Sequence, residues 1–125
     1  MAKRIINTDN APKAIGPYSQ AVEVNGLLFI SGQIPVNPLS GQIPESIEAQ
    51  TEQVMQNIGA ILHEAGYDFK DVIKSTCLLS DIANFKAMNE VYAKYYPKDC
   101  PARAAFAVKD LPMGVLVEIE TIAAK

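Results

Sequence analysis

Tryptophan is absent from this chain of 125 residues, histidine occurs once, as His63, and cysteine twice, as Cys77 and Cys100. Zinc sites draw several ligands from His and Cys at short spacings, so a His-rich or Cys-rich metal site is excluded. No apolar run approaches the roughly 20 residues that a membrane-spanning helix needs, so no membrane partner is expected. An excess of positive charge is missing too: 11 basic residues face 14 acidic ones, for a net charge of -3. Long-range attraction to a phosphate backbone is therefore lacking, and nucleic acid is not an expected partner. The seven glycines never fall into GxGxxG or a P-loop, which removes phosphate-cradling chemistry. Before Asn7, Asp9 and Asn10 the chain reaches no apolar core of a signal peptide. The two thiols are accordingly expected to be reduced and the protein cytoplasmic.

What remains is the make-up of one globular domain over residues 1–125, with 49% hydrophobic and 20% charged residues. Ala21 to Val24 and Leu27 to Ser31 are β-prone runs flanking Asn25-Gly26, a dipeptide that closes a two-residue hairpin. Pro35, Pro38, Gly41 and Pro44 then mark a surface loop ending near Ser46. From Ile47, apolar residues at Val54, Ile58, Ile61, Leu62 and Ala65 predict an amphipathic helix that Gly66 ends. Val72 to Leu79 predicts a buried strand, and Phe85, Met88, Val91, Tyr92 and Tyr95 predict a second helix, stopped by Pro97. Arg103 to Val108 and Val115 to Ala123 predict the last two strands. The order implies an α+β fold, a mixed sheet with two helices on one face.

In the last strand, Val115, Val117, Ile119, Thr121 and Ala123 share one face and belong to the core. The other face, Leu116, Glu118, Glu120 and Ile122, is apolar at both ends with two carboxylates between. Such carboxylates either answer lysines across a sheet or stand in a cleft made by a second subunit. Arg103 has small neighbours in Ala105 and Ala107, leaving its planar fork free for a salt bridge or a bound carboxylate. Asn89 puts an amide near the middle of the second helix's apolar face, where it meets either a structural partner or a ligand. Ile15-Gly16-Pro17-Tyr18 and Ser31-Gly32 read as turns, or as places where backbone approaches a small ligand. His63 lacks the second histidine of HExxH and reads as a solvated or packed residue.

Together, Asn10-Ala11-Pro12, Ile15-Gly16-Pro17-Tyr18-Ser19-Gln20-Ala21, Ile30-Ser31-Gly32-Gln33-Ile34-Pro35, Pro101-Ala102-Arg103 and Val117-Glu118-Ile119-Glu120 resemble the Rid family of reactive-intermediate imine deaminases, also called YjgF-like. The resemblance implies the chorismate-mutase-like fold, a homotrimer with clefts between adjacent subunits, no cofactor and no metal. It implies hydrolysis of 2-imino acids such as 2-iminobutanoate and 2-iminopropanoate to 2-oxo acids and ammonia. Carried over residue by residue, Arg103 would hold the substrate carboxylate and Glu118 would activate water. Tyr18, Ser31, Gly32 and Asn89 would line the cleft. Many relatives carry cysteine two residues after the arginine; Ala105 stands here, leaving that position only a backbone contact with substrate. Two other readings are an endoribonuclease or translation inhibitor, and a non-enzymatic trimer that binds carboxylates or acts as a chaperone.

Overall fold

The computed structural model describes residues 2–125. Six strands, β1 (Arg4–Ile6), β2 (Ala21–Val24), β3 (Leu27–Gln33), β4 (Val72–Leu79), β5 (Ala102–Ala107) and β6 (Val117–Ala124), form one sheet in the order β1-β2-β3-β6-β4-β5. Every pairing is antiparallel except β4 with β5. That parallel pair needs a crossover, which α2 (Phe85–Tyr92) supplies. The longer helix, α1 (Ile47–Ala65), packs against α2, β3 and β6.

Local chemistry explains where these elements begin and end. Asn25 and Gly26 have φ of 52° and 77°, the two positive values that a right-twisted hairpin turn requires. Ser46 caps α1, its hydroxyl accepting from the Ala49 N–H at 3.0 Å. At the other end Gly66 turns left-handed, φ 84°, and the N–H groups of Gly66 and Tyr67 donate to the carbonyls of His63 and Leu62. Arg4 and Lys125 donate to the carbonyls of Ala65 and Gly66, placing two cations at the negative end of the helix. The core sits between α1 and the sheet: Val54, Met55, Ile58, Ile61 and Leu62 pack with Leu28, Ile30, Val117, Ile119 and Ala123. Each large side chain buried there contributes about 1.5–3 kcal/mol.

The elements expected from the sequence are present, with shifted ends. β3 runs on to Gln33, β5 spans Ala102–Ala107 rather than 103–108, and β6 starts at Val117 rather than Val115. Val115 is buried, but it follows the short turn Pro112–Gly114 and lies outside the strand ladder. Alternation of apolar and polar residues reports burial, and burial begins two residues before the β6 ladder does. The second helix ends as a tighter turn, Ala93–Tyr95, before Pro97.

The helices cover one face of the sheet. On the other face Phe29, 43% exposed, pairs with Ile122, and Phe106, 47% exposed, lies one strand beyond Leu78, the partner of Glu118. No helix among the described residues is long and apolar enough to cross a membrane.

Candidate functional site

Glu118 lies between two core residues of β6, Val117 and Ile119, so its side chain points to the face without helices. Opposite it β3 carries a bulge: Ile30 pairs with Thr121 and Gln33 with Ile119, leaving Ser31 and Gly32 both facing Glu120. A bulge re-aims side chains and sharpens the twist. Here it brings the Gly32 backbone under the Glu118 carboxylate, whose Oε2 fills the volume a Cβ on Gly32 would occupy. The carboxylate is half-buried, and desolvation first, then the like charge of Glu120, raise its pKa above the ordinary carboxylate value. Among the described residues neither glutamate forms an ion pair; the pair that does form joins Arg4 and Glu23 at 2.9 Å.

Around this carboxylate the structure gathers the loop before β2. The Ser31 hydroxyl donates to the Ser19 carbonyl at 2.6 Å, and the Ser31 N–H donates to the Gln20 carbonyl at 2.9 Å. Gln20, buried, ties that loop to the segment before it: its Oε1 accepts from the Thr8 N–H, and its amide donates to the carbonyls of Thr8, Ala11 and Pro12. Tyr18, half exposed, and Gly32 line a cavity of about 310 Å3 shared with Pro12, Val36 and Met113. Gly32 therefore adjoins both the Glu118 carboxylate and the cavity that Tyr18 lines, while Ser31 beside it is tied to the Ser19–Gln20 loop.

Arg103 lies elsewhere. Its register partner on β4 is Ser75, which is buried and pairs in turn with Thr121 of the core face, so Arg103 belongs to the helix-covered side, at the open edge of β5. Its Nη1 donates to Asn89 Oδ1 at 2.6 Å, and its guanidinium lies 5.1 Å from the Tyr92 ring centre and 5.4 Å from that of Phe85. One hydrogen bond and two aromatic neighbours hold the plane of the fork, while no carboxylate pairs with it among the described residues. Asn89, Tyr92, Tyr96, Cys100 and Arg103 line a second cavity, of about 330 Å3. Ala105 pairs with Cys77 on β4. That thiol is buried, and burial pushes its pKa up to about 11 against the opposing pull of Arg103.

Glu118 with Gly32 beside it, and Arg103 with Asn89 and Ala105, thus stand on opposite faces of one sheet. The sheet therefore separates the Arg103 and Glu118 side chains of one chain. Sequence reasoning missed Gln20 as the tie of the loop, Phe85 and Tyr92 as neighbours of the guanidinium, and Met113 as a cavity wall. A glutamine directly before a strand and aromatic residues four and three positions either side of Asn89 were the available signals. His63 is exposed on α1 and lines neither cavity. Among the described residues no cluster of three His, Cys, Asp or Glu side chains could hold a metal ion.

Comparison with known proteins adds to this geometry. A family model described as Endoribonuclease L-PSP matches residues 8–125. AldR of Lactococcus lactis subsp. lactis, which is named as a regulator, is 58% identical over 96% of each chain. A 2-iminobutanoate/2-iminopropanoate deaminase of Capra hircus is 51% identical over 98% of this chain and 90% of its own. Among solved structures, E. coli TdcF with bound serine superposes with a TM-score of 0.93 at 40% identity, over 98% of both chains.

Proposed function

The chain belongs to the Endoribonuclease L-PSP family, which includes the YjgF-like and Rid proteins, and we propose that it is a hydrolytic deaminase of small 2-imino acids, assembled as a trimer. The observation that carries this reading is the complementarity of the two half-sites. A guanidinium fork without a carboxylate partner stands on one face, and a partly desolvated carboxylate without a cation stands on the other. A second copy of the chain, laid with its Arg103 side against the helix-free face, unites them around one ligand. The exposed Phe29 and Phe106 on that face supply apolar area for the contact. The deaminase named among the relatives and the serine bound by TdcF support a ligand that carries a carboxylate beside nitrogen.

In this reading Arg103 of one copy holds the substrate carboxylate through two parallel hydrogen bonds, with Asn89 fixing the fork. Tyr18, Ser31 and Gly32 of the neighbouring copy enclose the C=N carbon, and the backbone at Ala105 contacts the substrate. Glu118 takes a proton from water as its oxygen attacks that carbon, giving a carbinolamine. Returning the proton to nitrogen makes it a leaving group; as the C–N bond breaks, the hydroxyl gives up its proton to Glu118, which passes it to the departing ammonia, leaving a 2-oxo acid and ammonium. The elevated pKa of Glu118 suits a base that must both accept and return a proton. The Cys77 and Cys100 thiols are unpaired, consistent with a reducing, cytoplasmic setting.

The test uses a threonine dehydratase as the source of 2-iminobutanoate, with semicarbazide as competing trap. Added protein should divert the imine from semicarbazone to 2-oxobutanoate in proportion to its concentration. Semicarbazone formation at an unchanged rate would overturn the reading.

A further inference from the structure

On the helix-covered face, β5, β4 and β6 set Arg103, Ser75 and Thr121 in one cross-strand row. Neighbouring strands stand about 4.8 Å apart, so each side chain in the row lies beside the next. Tyr92 of α2 and Tyr96, just after the turn that ends it, pack ring against ring, with centres 4.8 Å apart. Among the described residues, the buried side-chain oxygens without a hydrogen-bond partner are the hydroxyls of Ser75, Thr121, Tyr92 and Tyr96. Ser75 stands close enough to both phenols to oppose the rise in pKa that burial gives them. The Arg103 guanidinium lies over the Tyr92 ring, so one side chain reaches from this cluster to the fork.

A core built only for packing would hold alanine, valine and phenylalanine at these positions, because a buried hydroxyl is costly unless it is hydrogen-bonded. Each hydroxyl brings one proton and two lone pairs. With a small shift of the rings, both phenols donate to Ser75 Oγ and Ser75 donates to Thr121. Asn89 grips Arg103 at Nη1 alone, which leaves the fork free to turn about that bond. A fixed ring against the guanidinium removes that freedom, and two parallel hydrogen bonds to a carboxylate need the plane fixed. We propose that Ser75, Tyr92 and Tyr96 are positioning residues for Arg103: Ser75 gathers the two phenols, and the Tyr92 ring, held by that contact, keeps the guanidinium in the plane that receives a substrate carboxylate. The inference rests on the deaminase reading, in which Arg103 holds that carboxylate.

The experiment measures the calorimetric affinity for 2-oxobutanoate, and kcat/KM for the dehydratase-derived imine from competition with semicarbazide. Tyr92→Phe, which keeps the ring, and Ser75→Ala should each weaken 2-oxobutanoate about three- to tenfold. They should lower kcat/KM by the same factor, since the carboxylate is held alike in the ground and transition states. Ser75→Thr returns the hydroxyl and should restore the affinity to within about twofold of wild type. In an Arg103→Ala background Tyr92→Phe and Ser75→Ala should lower kcat/KM no further, because their effect passes through the fork. An affinity unmoved by both variants, or an equal loss with and without Arg103, overturns the proposal. Weaker 2-oxobutanoate binding in both variants of a protein that turns over no imine overturns the deaminase and keeps the positioning. Wild-type turnover and binding in both variants overturn the positioning and keep the deaminase.

Discussion

The Glu118 carboxylate rests on Gly32: a Cβ at that glycine would overlap Oε2 and stand 3.0 Å from the carboxyl carbon. Gly32 is not among the residues with positive φ, so alanine is acceptable to its backbone, and only the carboxylate obstructs it. Gly32→Ala should therefore leave the fold intact while pushing Glu118 aside. A displacement of about 1 Å at a catalytic group can cost ~10²-fold in rate. Turnover should fall by that order, with far less change in the thermal midpoint; an unaltered kcat would show that the placement is immaterial.

Glu118→Gln keeps shape and hydrogen bonding but removes the base. Turnover should drop ~10²-fold or more, while a 2-oxo acid still binds through Arg103. Glu120→Gln should do less to the rate, and because the Glu120 charge is one of the two causes raising the Glu118 pKa, it should move the acidic limb of the pH–rate profile to lower pH. Profiles of kcat/KM for the wild type and both variants decide this.

The same shift makes a stability prediction of opposite sign. A carboxyl whose pKa is raised by folding binds protons more tightly folded than unfolded, so its contribution to stability falls as pH rises through the interval between the unfolded and folded values. At neutral pH Glu118 thus costs stability. Glu118→Gln should melt higher than wild type at pH 7, and that advantage should vanish below about pH 4, where both states are protonated. Thermal denaturation at the two pH values reads it directly.

Arg103 depends on a planar fork, which an ammonium does not reproduce. Arg103→Lys should be nearly as harmful as Arg103→Ala, with a loss of about 2–4 kcal/mol in binding or transition-state stabilisation. Asn89→Ala, which removes the 2.6 Å hydrogen bond and leaves the fork in place, should cost less. If Arg103→Ala retains wild-type turnover, the arginine does not hold the substrate.

The helix-free face should carry the assembly. Phe29→Glu combined with Phe106→Glu places charge at two exposed positions without touching the core. Sedimentation should find the wild type at three times its chain mass of 13.6 kDa and the double variant dissociated and inactive. A wild type that sediments as a monomer would remove the shared site.

Much of this fold was legible in the sequence because its signals are local. The Asn25-Gly26 turn, the stripe from Val54 to Leu62, the Gly66 cap and the alternation along 115–123 each need only neighbouring residues to act. The residue types of the site were legible for the same reason, since a guanidinium fork and paired carboxylates declare their chemistry wherever they stand. Tertiary structure alone decided how they are arranged. The bulge that places Gly32 beneath Glu118 arises from the pairing of β3 with β6, strands far apart in the chain. The parallel pairing of β4 with β5 puts Arg103 on the helix face, against Asn89, Phe85 and Tyr92. Which face of a sheet a side chain occupies depends on register, and register is a property of two strands together, which no single stretch of sequence contains.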